Sequence, residues 1–210
     1  MAHLIETIYE SSVEEAIDKL KQTHALIVER AIVAQKKIGT NGEAWGAELK
    51  RLEVSLPDGQ LLVGKASEKF VEVINILATT KRTISSLCWL AKQHPSASLR
   101  ECHSSTSDDT EGNDIVLVSP ETGKVLVRCE VTDVTSKKPG QNGKEEKDIK
   151  NLGCEEYVPN DGATRYIATS HEFSSALTSE KRKWAAMHYR YIPHETKFAD
   201  RTVLLEVVNA

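Results

Sequence analysis

The segment VLVRCEVTDV, residues 125–134, alternates between two side-chain populations. A β-strand turns successive side chains to opposite faces, so Val125, Val127, Cys129 and Val131 share one face and Leu126, Arg128, Glu130 and Thr132 share the other. The first set is wholly apolar and requires a covering layer; the second carries a cation and a carboxylate. Any fold open to this chain must contain a sheet packed on its 127/129/131 side, with Glu130 directed away from that core.

The neighbouring sequence supplies more of the sheet. The turn segment SPETGK, residues 119–124, joins the 125–134 strand to a strand expected at 114–118. A third strand is expected at 98–103 (SLRECH), before a polar loop at 104–113 (SSTSDDTEGN). The covering layer is legible upstream. Phe70, Val73, Ile74, Leu77, Ile84, Leu87, Cys88 and Ala91 recur on one helical stripe, with Ser67 as the expected N-cap and His94-Pro95 as the stop. A second long helix is expected over 12–38. Ser12 and Glu15 form a capping box there, Val13, Ala16, Ile17, Leu20, Ile27, Ala31 and Ala34 form its stripe, and Gly39 ends it. Between the helices, LKRLEVSLPDGQLLVG (49–64) carries a Pro-Asp-Gly turn and reads as a small hairpin.

Downstream, PGQNGKEEKDIKNLG reads as a polar loop and a short helix near 144–152 closed by Gly153. A strand RYIATS (165–170), a helix capped by Thr178 or Ser179 and running through Tyr191, and a last strand TVLLEVV (202–208) follow. From residue 67 the order is helix, three strands, helix, strand, helix, strand. A strand-helix-strand passage implies a right-handed crossover, and hence an α/β fold with a mixed central sheet flanked by helices. The reading divides the chain into a helical N-terminal region with a small hairpin, residues 1–66, and an α/β core, residues 67–210.

Composition removes several function classes. At 40% hydrophobic and 28% charged residues, the 210-residue chain is globular in type. It contains no apolar run of about 18 residues, and MAHLIETIYESSVEE places acids where a signal peptide needs a basic stretch. A soluble, cytoplasmic protein without membrane partners is expected. Cys88, Cys102, Cys129 and Cys154 form no CxxC pair, so reduced thiols are expected rather than a zinc site or a disulfide framework. The net charge of −4 argues against one dominant basic face, leaving nucleic-acid contact to local clusters. These are SKK (136–138), KEEKDIK (144–150) and EKRKW (180–184), with Trp184 or Tyr189 for stacking. Their interleaved acids fit a solvated helix face equally well. No GxGxxG or P-loop pattern occurs, and His171, His188 and His194 lack the i, i+4 spacing of a helical metal pair. Cys102 and His103 are adjacent on a strand and face opposite ways, so they read as structural residues rather than a nucleophile and its base.

Asp114 and Glu130 remain. A hairpin turning near 119–124 brings the Asp114 carboxylate from the mouth of one strand toward Glu130 on the next. Two hard oxygen ligands, with water and a substrate phosphate, suit magnesium, which then activates water and offsets charge developing on a phosphodiester. Strand acids also commonly face solvent or pair with a cation, and Arg128 and Lys124 are within range of Glu130 for that role.

An acid at a strand start, a hairpin's length of sequence, then an acid in an apolar strand ("EVT"), a short helix and another strand resembles the PD-(D/E)XK, or restriction endonuclease-like, nuclease superfamily. The resemblance covers roughly residues 67–170. It implies metal-dependent hydrolysis of DNA phosphodiester bonds by a restriction- or repair-type endonuclease. Asp114 and Glu130 would be the metal ligands and catalytic acids, magnesium the cofactor with manganese as substitute, and DNA the partner. A two-fold homodimer would let two such sites address two strands. Two positions depart from the family pattern. Asn113 precedes Asp114 in place of proline, and Thr132 stands where family members generally carry a lysine that positions or polarises water and phosphate. Lys137 and Lys138 are the expected catalytic substitutes, with Lys144 and Lys147 on the following helix behind them. The second reading, favoured by the missing lysine and the acidic balance, is a nuclease-like fold without hydrolytic activity that binds nucleic acid or protein. A small-molecule enzyme on an α/β scaffold is the third, and has no motif in its favour.

Overall fold

The capping box expected at Ser12 forms in the computed structural model, which describes residues 4–36, 45–55, 67–105, 113–131, 162–169 and 190–193. Ser12 Oγ accepts from the Glu15 backbone N–H, and a Glu15 carboxylate oxygen accepts from the Ser12 N–H, both at 3.1 Å. This pair starts α1 (Val13–Gln35), and every residue of its expected apolar stripe is buried. Helix α3 (Phe70–Gln93) ends as its Pro95 requires: the His94 N–H closes the last turn onto the Leu90 carbonyl at 2.8 Å.

Both helices cover one face of a six-stranded mixed sheet. Its strands are β1 (Leu4–Ser11), β4 (Ser98–Ser105), β5 (Ile115–Val118), β6 (Val125–Val131), β7 (Thr164–Thr169) and β8 (Arg190–Pro193), adjacent in that order. The first four are antiparallel; β7 runs parallel to β6, and β8 parallel to β7. From Val127 onward the alternation in β6 falls as its sequence requires, whereas Leu126, expected on the opposite face, packs against the core and Val125 is only half-buried, at the register irregularity beside the turn. Val127, Cys129 and Val131 are buried in the core with Leu99, Cys102, Ile115, Leu117, Tyr166 and Ala168, while Arg128 and Glu130 are half-buried on the other face. The β5–β6 turn closes through the Ser119 N–H to the Lys124 carbonyl and the Gly123 N–H to the Ser119 carbonyl, both 2.9 Å. Gly123 there has φ +66°, a left-handed conformation that glycine adopts without steric cost.

The helices reach past the sheet. Val13, Ala16, Ile17 and Leu20 of α1 share the sheet core with Leu87 and Leu90 of α3, whereas Ile27, Ala31 and Ala34 meet Phe70, Val73, Ile76 and Leu77 in a second cluster. The two helices therefore run antiparallel. The second cluster is closed by Val54 of β2 (Glu53–Ser55), which pairs with β3 (Ser67–Lys69) beside the short helix α2 (Trp45–Arg51). Between the two apolar clusters, buried Thr23, Thr79, Thr80, Arg82, Thr83 and Ser86 form a polar seam with Ser104 of β4. Thr80 Oγ1 donates to the Ile76 carbonyl at 2.9 Å and lies 3.2 Å from Ser104 Oγ. These bonds satisfy hydroxyls that burial would otherwise penalise.

Several expectations change. Strand β1 was not foreseen; it pairs with β4, and the first half of α1 shares a core with the second half of α3. Ser67 belongs to β3 and does not cap α3, whose N-cap is Lys69 without a side-chain hydrogen bond. Glu53–Ser55, within the hairpin expected at 49–64, pairs with Ser67–Lys69, and the Pro-Asp-Gly turn and second strand of that hairpin lie outside the described residues. Arg190 and Tyr191 lie in β8, not in a helix. Gly39, the 144–152 helix, Thr178, Ser179 and the 202–208 strand lie outside the described residues. Among the described residues no helix is long and apolar enough to cross a membrane.

Candidate functional site

The two carboxylates meet where β5 begins and β6 ends. Ile115 pairs with Cys129, so continuing the antiparallel register by one residue sets Asp114 opposite Glu130, and opposite residues in a ladder project to the same side. That side is the face away from α1 and α3. On the other flank, the His103 N–H of β4 donates to the Asp114 carbonyl at 2.7 Å, which fixes the Asp114 backbone from both neighbours.

Each acid is oriented by a hydrogen bond. Asp114 Oδ2 accepts the Val131 backbone N–H at 2.7 Å, so the side chain stands in for a strand partner at the point where the β5–β6 ladder stops. Glu130 Oε1 accepts from Asn113 Nδ2 at 3.0 Å. Asn113 Oδ1 in turn accepts from Arg128 Nη1 at 3.1 Å. One amide thus joins Arg128 to Glu130 through its two ends, an arrangement only a side chain with both donor and acceptor allows. Proline at position 113 would supply neither.

Electrostatics register both acids. Burial pushes the Cys129 thiol well above its ordinary pKa, and the negative charges of Asp114 and Glu130 push it further. Burial and both acids thus favour the neutral form of the Cys129 thiol. Cys102 is buried in the core and His103 faces the opposite side, as their adjacency requires. The His103 side chain is 12% exposed, its Nε2 is 3.5 Å from Glu101 Oε2, and its ring meets Tyr9 edge-on. Among the described residues, Cys88 and Cys129 are free thiols.

Thr132, Lys137, Lys138, Lys144 and Lys147 lie outside the described residues, as do the basic clusters at 136–138, 144–150 and 180–184. Among the described residues no group of three or more His, Cys, Asp or Glu side chains is arranged to hold a metal. Asp114 and Glu130 are hard oxygen donors of the type a magnesium ion takes, and two carboxylates alone would leave most of its ligands to water or another molecule. The structure brings the expected site residues Asp114 and Glu130 to one face; Arg128, expected only as an ion-pair partner of Glu130, reaches it through Asn113, which the sequence marked only as a departure from the family pattern. The parallel pairing of β6 with β7 sets Arg165 beside Arg128. No family model, curated protein or solved structure matches the chain.

Proposed function

We propose that this chain is a metal-dependent DNA phosphodiester hydrolase of the restriction endonuclease-like kind. The observation that carries the reading is the placement of Asp114 and Glu130 on one sheet face, opposite each other across the β5–β6 ladder. The order of elements supports it: helix α3, the antiparallel strands β4, β5 and β6, then the parallel strand β7, with the acids at the second and third of those strands. Asp114 and Glu130 would hold magnesium or manganese, which when bound supplies a lowered water pKa and offsets phosphate charge. Asn113 keeps Glu130 oriented, and Arg128 adds positive charge two residues before it. A DNA strand crossing this face would lie over the acids, and a homodimer would present two such faces.

The test is cleavage of plasmid and single-stranded DNA with Mg²⁺ or Mn²⁺, comparing the native chain with Asp114→Asn and Glu130→Gln. Metal-dependent cutting abolished by both substitutions is expected. Absence of cutting, or cutting that survives both, sinks the reading.

A second reading rests on the Asp114–Val131 bond. A carboxylate that caps the end of a ladder has a structural reason to be there, and Thr132 brings no cation beside it. Under that reading the chain is a nuclease-like module that binds nucleic acid without hydrolysing it, and the cleavage experiment separates the two.

A further inference from the structure

Tyr9 of β1 pairs with Glu101 of β4, and the neighbouring pair, Ile8 with Cys102, is buried in the sheet core. Tyr9 therefore projects from the opposite face, the face of His103, Asp114 and Glu130. It lies diagonal to His103, whose ring stands at 84° to the phenol with centroids 6.0 Å apart. That contact orients the phenol ring and leaves the residue 62% exposed. A single exposed aromatic is ordinary on a protein surface, and Tyr9 is set apart by its place. Strands β1, β4 and β5 are adjacent, so Tyr9 lies two strand spacings, about 10 Å, and two residues, about 7 Å, from Asp114. One extended strand of nucleic acid can lie over both. The cross-strand partner of Tyr9 is Glu101, whose carboxylate disfavours a phosphate at this point and leaves the ring to a neutral, planar partner. A nucleobase has such a face, and stacking on an aromatic ring holds it without reading its edges.

We propose that Tyr9 is a stacking platform for one unpaired base of a DNA strand whose backbone runs on toward the Asp114–Glu130 pair. Identification of the ligand as DNA rests on the hydrolase reading; stacking itself does not require hydrolysis. A base inside a duplex spends both faces on its neighbours in the stack, so a ring that takes a base face selects an unpaired nucleotide. The substrate class is therefore DNA with a single-stranded, frayed or extruded position beside the bond over the carboxylates.

The experiment measures binding of fluorescein-labelled single-stranded and duplex DNA to the full chain by anisotropy in EDTA, over about 50 to 200 mM salt. Tyr9→Ala is expected to weaken single-strand binding about tenfold and to leave the slope of log affinity against log salt unchanged, because stacking neutralises no phosphate. Tyr9→Phe keeps the ring and is expected to bind within about twofold of the native chain. Duplex binding is expected to change less than about twofold in either variant. A Tyr9→Ala chain that binds single strands as the native chain does overturns the platform, as does a Tyr9→Phe chain as weak as Tyr9→Ala, or an equal loss on duplex and single strand. Where Tyr9→Ala fails to fold by circular dichroism, Tyr9→Leu, with apolar bulk and no ring, decides: native affinity overturns the proposal, and a loss confined to single strands supports it. A native chain that binds no single-stranded DNA also overturns it. Ring-dependent binding without any cutting upholds the platform and removes the hydrolase, whereas cutting with binding indifferent to Tyr9 does the reverse.

Discussion

Asp114 Oδ2 lies 2.7 Å from the Val131 backbone nitrogen, so the carboxylate proposed here as a metal ligand also completes the hydrogen bonding of the sheet. The two roles separate by substitution. Asp114→Ala leaves a backbone N–H without this acceptor and is expected to cost about 1–3 kcal/mol of stability as well as activity. Asp114→Asn keeps an acceptor oxygen and removes the charge, so it is expected to stay within about 1 kcal/mol of native stability and still to be inactive. Urea unfolding beside plasmid cleavage reads both; equal destabilisation by the two changes would show that the bond contributes nothing.

Asn113 gives a charge test. Asn113→Ala removes two hydrogen bonds and is expected to cost roughly 1–2 kcal/mol. Asn113→Asp replaces the amide donor, now 3.0 Å from Glu130 Oε1, with a second carboxylate oxygen. The adjacent acids raise each other's pKa in the folded state, so this variant is penalised above about pH 4 and relieved as pH falls through the carboxylate range. Unfolding curves of the two variants should converge at low pH, and parallel pH profiles would exclude the contact.

His24 sets a second pH dependence, far from the acids. Burial lowers its pKa below 6.5, the Lys81 charge lowers it further, and its Nε2 is buried without a hydrogen-bond partner among the described residues. The unfolded chain then binds the proton more readily than the folded one, so stability is full above about pH 6.5 and falls as pH drops toward the depressed folded value, where it levels off. His24→Gln is expected to flatten that slope in thermal melts between about pH 7 and 5. An unchanged slope would place the effect elsewhere.

The polar seam predicts non-additivity. Thr80→Val leaves the fully buried Ser104 hydroxyl without the 3.2 Å contact and is expected to cost about 1–3 kcal/mol. Adding Ser104→Ala removes the stranded group, so the double variant is expected to be no less stable than Thr80→Val alone. Additive losses would mean that the two hydroxyls do not interact.

What the sequence disclosed was local or periodic. The Ser12–Glu15 box, the stripe of α1 and the 127/129/131 face of β6 each depend on neighbours within a few residues, and each forms as read. What it concealed depends on pairing at a distance. Residues 67–69 looked like a helix start because the strand that recruits them, Glu53–Ser55, lies across a connection that no periodicity marks. The buried threonines of α3 escaped notice because they break its apolar stripe, and the tertiary contact of Thr80 with Ser104 depends on a distant strand. At the site, both acids were legible from the strand pattern. The Asn113 amide was not, since it reaches Glu130 and Arg128 only through the hairpin register.

The pairing of β1 with β4 also bears on how the chain comes off the ribosome. Ile8 waits for Cys102, about ninety residues later in synthesis. At about 5–20 residues per second, β1 remains an unmatched ribbon for on the order of 5–20 s, while α1 can coil as soon as it emerges. Sheet closure must also meet the entropy of a long loop before its bonds form. By the same reasoning β1 is expected to be a late strand to lock in refolding.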